Sequence, residues 1–305
     1  MSVMTLRRRT FIASAAASAA SFRIGPIWAQ TPKRSPSGVP VVAECETVFL
    51  GASAYALGAA LKNPAKTVVL EQSLMLVPEF SGALLPNVLT AAEGEIATLV
   101  RERIEKEGLS GNGRYHAPPV SDVMSALVMH RKANLFLNAN VADIRRAGRG
   151  FVVEIIGPDG YSTIAAERVI DTMPTAWRDA GAKAIKEKFF AAPLVGKPKG
   201  DLGRFATDKR EVVPGALPGE NILKVRLAAD TDWHNARLAL YDAFEKMVAE
   251  DDTFSIGGEA TALGYLYREA RTQAAHLPGV VWHPGAQYPD LMNALTAGEL
   301  CLKSK

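Results

Sequence analysis

The sequence predicts an α/β fold built around a parallel sheet. Two short apolar runs, residues 47–50 and 67–70, have the length and composition of strands that are buried on both faces. Between them, a turn of small residues at 51–56 leads into a helix over 57–61, which Pro64 ends. A buried strand, a tight turn, a helix and a second buried strand together form one β-α-β unit of a Rossmann-like sheet.

The remaining elements follow from hydrophobic periodicity and turn residues. Helices are predicted at 93–107, 120–130, 231–249, 259–275 and 290–302, the last of them capped by Asp290. Strands are predicted at 134–137, 141–146, 151–156, 167–172 and 279–282, and a glycine- and proline-rich loop at 108–119. The tight turn at 157–160 joins two strands, so we expect a β-hairpin region inserted between the parallel strands.

The first 29 residues are predicted to be an export signal and not part of the fold. Arg8 and Arg9, with two apolar residues behind them, resemble the twin-arginine pattern, and residues 13–22 are too short and too polar to cross a bilayer. The segment ends in a small residue, Ala29, which suits cleavage, and the proline-rich segment 30–44 is predicted to be a linker. These features predict a periplasmic protein exported by the twin-arginine route; an ordinary secretory signal is the alternative.

Composition limits the partners of the chain. Its net charge is +3, and six of its lysines and arginines lie before Ser35, so the body of the protein is close to neutral and nucleic acid is not an expected partner. No apolar run after Ala29 is long enough to span a bilayer, so we do not expect an integral membrane protein. With two cysteines and scattered histidines, no metal site is predicted.

The turn after the first strand has the spacing of a dinucleotide-binding site. Gly51, Ser53 and Ala56 occupy the three glycine positions of the G-x-G-x-x-G pattern, and Ala54 lies in the same turn and is predicted to contact the cofactor with them. Glu71 lies twenty positions after Gly51 (71 − 51), where an acidic side chain accepts hydrogen bonds from an adenosine ribose. We therefore predict a dinucleotide at this turn, with a purely structural β-α-β unit as the alternative.

From this unit onward the chain resembles the FAD-dependent oxidoreductases of the glutathione-reductase-like superfamily, in a divergent and shortened form. Gln72 follows Glu71 as in that family, Gly82 lies in a glycine-bearing loop, and Val141 lies in the strand pair that meets the adenine. Asp171 ends the strand that leads to a flavin contact, although methionine and proline stand after it where the family has a glycine. The resemblance implies that these residues contact FAD. NAD is also compatible with the acidic residue after the second strand.

The C-terminal part continues the resemblance. Residues 277–282 are similar to the strand that precedes the last helix of the family, and that helix points its N-terminus at the flavin ring. This implies that Gly285 and Asn293 contact the cofactor. It also places His283 and Tyr288 near the reacting atoms, and both are predicted to be catalytic.

The resemblance also implies a division of the chain. Residues 45–175 and 276–305 are assigned to an FAD-binding domain, and 176–275 to a reduced cap or substrate domain. The last helix would bring Cys301 towards Cys45, and an oxidising compartment would permit a disulfide between them. The predicted function is an exported FAD-dependent oxidoreductase that acts on a small-molecule substrate and uses an electron acceptor or partner subunit. The alternative is a flavin-free accessory or binding subunit that retains the Rossmann fold.

Overall fold

The computed structural model describes residues 39–179, 182–268, 273–274 and 277–302. The predicted export signal lies outside the described residues. The first strand begins at Val41, so residues 41–44 belong to the sheet and not to the predicted linker. Val41 and Ala43 are aligned with Thr163 and Ile164 of a neighbouring strand, and this pairing extends the first strand beyond its apolar run.

The secondary structure begins as alternating strands and helices. Within the described residues, the strands are β1 Val41–Leu50, β2 Thr67–Leu70, β3 Ser110–Gly111, β4 Arg114–Tyr115, β5 Asn134–Phe136, β6 Asn140–Ala147, β7 Gly150–Gly157, β8 Gly160–Asp171, β9 Ile185–Val195, β10 Arg210–Pro214, β11 Asn221–Leu227, β12 Ser255–Ile256, β13 Gly264–Tyr267, β14 Gln273–Ala274 and β15 Val280–Trp282. The α-helices are α1 Ala54–Lys62, α2 Glu95–Lys106, α3 Val120–Arg131, α4 Trp233–Glu250 and α5 Leu291–Leu300. Every predicted strand and helix overlaps an observed element of the same type, except the helix predicted at 259–275.

A mixed sheet of eight strands confirms the predicted α/β class. Its parallel strands lie in the order β5, β2, β1, β8 and β15, and β14 adds an antiparallel edge. β8 also forms an antiparallel meander with β7 and β6, which is the predicted hairpin region. The strand order reverses between β1 and β8, and open α/β sheets bind ligands at such a reversal, beside the carboxyl ends of the strands.

The sheet is covered on both faces, which explains why its central strands are uniformly apolar. In β1, Phe49 packs in one core cluster with Leu57 of α1, whereas Val48 and Leu50 pack in a second cluster with Phe151 of the hairpin region. All residues of α1 except Lys62 are buried, so this helix lies in the interior and not on the surface.

Two glycines allow α1 and α5 to pack closely. A Cβ atom built on Gly58 would lie 2.3 Å from the carbonyl oxygen of Leu295, and one built on Gly298 would lie 2.0 Å from that of Tyr55. Both distances are far below van der Waals contact, so a larger residue at either position would push the helices apart.

The side chain of Glu299, on α5, caps a second helix. Its carboxylate accepts hydrogen bonds from the backbone N–H groups of Glu95, Ile96 and Ala97 at 3.0, 2.7 and 3.1 Å. These groups open α2 and have no acceptor within that helix. The last helix therefore supplies the N-terminal cap of a helix that lies about 200 residues earlier in the chain.

A second, antiparallel sheet lies within the segment assigned to the cap or substrate domain. Its strands follow the order β10, β11, β9 and β12, and β13 also pairs with β9. α4 packs against β9 and β11. Of the helices in the described ranges, none combines the length and the apolar character needed to cross a membrane.

The helix predicted at 259–275 is wrong where the structure describes it. Gly264–Tyr267 form β13, in which Leu266 is exposed whereas Tyr265 and Tyr267 are half-buried. This alternation is the period of a strand, so the segment forms β13 in place of the predicted helix. Gly264 has no room for a side chain, because a Cβ atom there would lie 1.9 Å from the ring of Phe189.

We expect Gly298→Ala to destabilise the fold, since the new methyl group would overlap the backbone of α1. Overpacking of this kind costs about 1–3 kcal/mol, and urea denaturation should show that loss in the free energy of unfolding. Gly157→Ala is the matched control, because a Cβ atom on Gly157 would meet no atom within 4 Å. An unchanged stability of the Gly298 variant would contradict the close approach of α1 and α5.

Candidate functional site

The turn between β1 and α1 has the form that the sequence predicts. Gly51 adopts a φ of 89°, a left-handed value that favours glycine, and its N–H donates to the carbonyl oxygen of Leu70 at 2.7 Å. Ser53 caps α1, and its hydroxyl oxygen accepts a hydrogen bond from the N–H of Ala56 at 3.1 Å. The turn lies at the carboxyl end of β1, where the strand order reverses.

Side chains of the protein accept the hydrogen bonds that this turn offers. The N–H of Ala52 donates to Oε2 of Glu71 at 2.8 Å, and the N–H of Ala54 donates to Oε1 of Glu79 at 2.7 Å. With the capping hydroxyl of Ser53, these carboxyl groups satisfy one N–H group of the turn and two at the start of α1. In a dinucleotide site, N–H groups at this place face a pyrophosphate, which the positive end of the helix dipole attracts.

Glu79 was not singled out by the sequence analysis. Glu79 lies in a short π-helix, Pro78–Gly82, and only 6% of its surface is exposed to solvent. Burial raises the pKa of Glu79 from 4.5 to about 7, and the hydrogen bond from Ala54 acts in the opposite direction. The signal available in the sequence is a single acidic residue within the mostly apolar run at 74–85.

Neighbouring backbone closes the space beside the turn. A Cβ atom built on Gly285 would lie 2.2 Å from that of Ser53 and 3.0 Å from Oε1 of Glu79. The N–H of Gly285 donates to the carbonyl oxygen of Thr172 at 3.0 Å, which holds this contact in place. The structure thus brings the predicted contacts Gly51, Ser53 and Gly285 together, but they pack on protein atoms. In this arrangement the residues present do not fit a dinucleotide pyrophosphate.

Glu71 follows β2 as predicted, and protein donors surround its carboxylate. Besides the N–H of Ala52, it accepts hydrogen bonds from the N–H and the hydroxyl group of Ser73, both at 2.8 Å. Gln72, the predicted contact beside it, is exposed to solvent. Protein groups therefore take three of the roughly four acceptor sites of this carboxylate.

Asp171 organises the loop that follows β8. Its carboxylate accepts hydrogen bonds from the N–H of Met173 at 3.0 Å and from the N–H of Trp177. Burial raises the pKa of Asp171 to about 6. The indole N–H of Trp177 donates to the carbonyl oxygen of Val141, the predicted adenine contact, at 3.3 Å. The loop at 173–177 is thus hydrogen-bonded to both Asp171 and Val141, which are predicted cofactor contacts.

The two predicted catalytic residues lie together. Nε2 of His283 is 2.7 Å from the hydroxyl group of Tyr288, and the rings of both residues lie near Tyr55, at centroid distances of 4.2 and 5.8 Å. Burial lowers the pKa of His283 to about 4, so the imidazole is neutral at pH 7. A neutral imidazole has one donor and one acceptor nitrogen, so the tautomer decides whether Nε2 donates a hydrogen bond to the hydroxyl group of Tyr288 or accepts one from it. The catalytic roles of both residues stay predictions.

The other predicted contacts have partners within the protein. Gly82 is buried, and its carbonyl oxygen accepts a hydrogen bond from the N–H of Thr261 at 2.9 Å. Asn293 donates to the carboxylate of Asp290 from its backbone N–H at 2.9 Å and from its side-chain amide at 2.6 Å. Asp290 therefore caps α5, as predicted.

The structure does not contain the hypothesised disulfide. Cys45 and Cys301 both carry thiols, and Cys301 hydrogen-bonds with the side chain of Tyr55. The thiol of Cys45 lies 3.8 Å from the carbonyl oxygen of Ala165. Each sulfur is thus placed by a different neighbour, and the two are not joined. Across the described ranges, no group of three or more histidine, cysteine or acidic side chains could hold a metal ion.

Tyr288 also forms part of the wall of a cavity of about 420 Å³. The cavity lies between the second sheet, which contributes Phe189 and Tyr265, and the segment 286–289. Its volume is within the range of about 300–1,000 Å³ that is typical of small-molecule sites. His283 is not among the residues of its wall, so only one of the two predicted catalytic residues reaches it.

Comparisons with known proteins identify the fold. No family model matches the sequence, and no curated protein matches it in sequence. A geranylgeranyl bacteriochlorophyll reductase-like protein from Thermoplasma acidophilum superposes with a TM-score of 0.61 at 13% identity, over 86% of this chain and 77% of that one. Glycine oxidase from Geobacillus kaustophilus gives a TM-score of 0.58 at 12% identity, over 86% of this chain and 94% of the oxidase chain. The myxobacterial chondrochloren halogenase CndH, described as a variant of FAD-dependent halogenases, gives a TM-score of 0.52 at 11% identity. That superposition covers 86% of this chain and 76% of the halogenase chain.

These likenesses confirm the predicted fold class, a Rossmann-type α/β fold that is shared with FAD-dependent enzymes. At such low identities they establish the fold alone. The narrower glutathione-reductase-like subtype stays a prediction, and the function has to be argued from the site.

We expect Glu79→Gln to remove a pH dependence of stability. Because the pKa of Glu79 is raised from 4.5 to about 7, the folded chain keeps this proton over a pH range in which the unfolded chain releases it. Its contribution to the free energy of unfolding is therefore full below pH 4.5 and is lost as pH rises through about 7. The stability of the wild type relative to the variant should fall by up to about 3 kcal/mol across this range.

Urea denaturation at several pH values measures this difference, and other titrating groups cancel because both proteins contain them. Glu154→Gln is the matched control, since Glu154 forms an ion pair with Arg145 away from the turn. Wild-type and Glu79→Gln profiles that stay parallel from pH 4.5 to 8 would show that Glu79 does not titrate in this way.

Proposed function

We propose that this chain is a flavin-free binding or accessory protein that retains the Rossmann-type fold. The observation that carries the proposal is the hydrogen bond from the N–H of Ala54 to Glu79, at 2.7 Å. It puts a carboxyl group of the protein where this fold offers an anion site to a cofactor phosphate. The contact of Gly285 with Ser53 closes the same place sterically.

A pyrophosphate would have to displace Glu79 from the start of α1. Loss of the acceptor at a buried N–H costs about 1–3 kcal/mol unless the phosphate replaces it. The phosphate charge would also approach the carboxyl group of Glu71, which already interacts unfavourably with that of Glu79. The two acidic side chains at the turn therefore oppose the binding of a phosphate anion.

The proposal predicts that the purified full-length chain is colourless and does not bind FAD. Titration of free FAD, followed by quenching of the flavin fluorescence, should show no saturation, because the N–H groups of the turn already have acceptors. NAD and ADP, titrated by calorimetry, should behave in the same way. Glycine oxidase freed of its cofactor is the positive control. A yellow protein, or saturable uptake of FAD at about one molecule per chain, would overturn the proposal.

A second candidate function is that of an FAD-dependent oxidoreductase acting on a small-molecule substrate, with an electron acceptor or partner subunit. The fold shared with FAD-dependent enzymes favours this candidate, and so does the position of Glu71 after β2. It requires Glu79 and the segment at Gly285 to move away from the turn. The same flavin titration separates the two candidates, since stoichiometric uptake supports the second.

We also propose that the chain is exported to the periplasm by the twin-arginine route. The support is the sequence pattern of Arg8, Arg9 and the apolar residues that follow them. Since the two arginines define the pattern, a variant with Arg8→Lys and Arg9→Lys should stay in the cytoplasmic fraction while the wild type reaches the periplasm. Arg34→Lys, outside the pattern, is the control. Equal export of the double variant would contradict this route.

A further inference from the structure

The cavity beside Tyr288 is a candidate binding site in its own right. It opens between the second sheet and the segments at 85–86 and 286–289, the second of which directly follows Gly285 in the chain. Among the described residues that form its wall there is no aspartate or glutamate. A ligand in this cavity therefore meets no negative side chain in the wall.

Aromatic side chains form much of the wall. Phe189 comes from β9, Tyr265 and Tyr267 come from β13, and Tyr288 comes from the facing segment. The rings of Tyr265 and Tyr267 are within 19° of parallel, with centroids 6.4 Å apart. Aromatic rings in a wall favour contact with another ring, either stacked or edge-on.

Two basic side chains of the wall, Lys224 and Arg114, have hydrogen-bond donors to spare. Lys224 is 2.7 Å from Glu211, which uses one of its three ammonium hydrogens. Arg114 donates from Nη1 to Asn87 and has further N–H groups on the same guanidinium. The surplus of donors calls for an acceptor that carries negative charge.

We propose that this cavity binds a small aromatic carboxylate. Its ring packs among the aromatic side chains of the wall, and its carboxylate accepts hydrogen bonds from the donors that Lys224 and Arg114 supply. The inference rests on the proposed function, because it takes this cavity as the binding site of a chain that holds no flavin.

Calorimetric titration of the full-length chain with naphthalene carboxylate tests the proposal. Saturable binding is expected, with affinity at least about tenfold lower for naphthalene carboxamide, which lacks the charge, and for cyclohexane carboxylate, which lacks the planar ring. Absence of saturable binding of naphthalene carboxylate, or equal binding of all three compounds, would overturn the proposal.

Two variants test the location. Lys224→Gln should weaken binding of naphthalene carboxylate about tenfold. Lys246→Gln is the control, because Lys246 lies on α4 and also forms an ion pair, with Asp242, and its replacement should leave the affinity unchanged. Arg114→Gln should weaken binding by a similar factor, because it removes the other positive charge of the wall. Unchanged affinity in both cavity variants would overturn this site. Uptake of FAD, measured separately, would instead overturn the flavin-free function.

Discussion

The hydrogen bond between the N–H of Ala54 and the carboxyl group of Glu79 is the interaction on which the candidate site depends. α1 is buried along almost its whole length, so the N–H groups at its start need acceptors inside the protein. Glu79 supplies one and thereby fixes the π-helix Pro78–Gly82 beside the turn. Gly285 then packs on Ser53, and this contact sets the position of the segment that carries Tyr288.

Carboxyl groups accept hydrogen bonds from the first N–H groups of two helices in this fold. Glu79 does so for α1 from 25 residues away, and Glu299 does so for α2 from about 200 residues away. In dinucleotide-binding proteins a phosphate takes this place at the first helix. Here protein carboxyl groups satisfy the helix starts, so the fold does not need a ligand to complete them. The space left for binding lies instead at the contact with the second sheet.

Features with local causes could be predicted from the sequence. The first β-α-β unit follows from two buried apolar runs and a small-residue turn, and Asp290 is a cap recognisable from its neighbours. Glu79 could not be predicted, because its partner lies 25 residues away and its direction depends on a π-helix. The donors and rings of the cavity come from segments far apart in the chain, so their meeting depends on the complete fold. The strand Gly264–Tyr267 was missed because a short aromatic run fits a helical pattern as well as an alternating one.

The position of α5 has a consequence for biosynthesis. Until residues 291–300 have left the ribosome, Gly58 lacks its partner helix and the N–H groups that open α2 lack the carboxylate of Glu299. A nascent chain therefore carries an apolar helix and an unfinished cap from the synthesis of α1 and α2 until that of α5. Transiently exposed apolar surface of this kind favours aggregation, so the late arrival of α5 sets a period of risk for the growing chain.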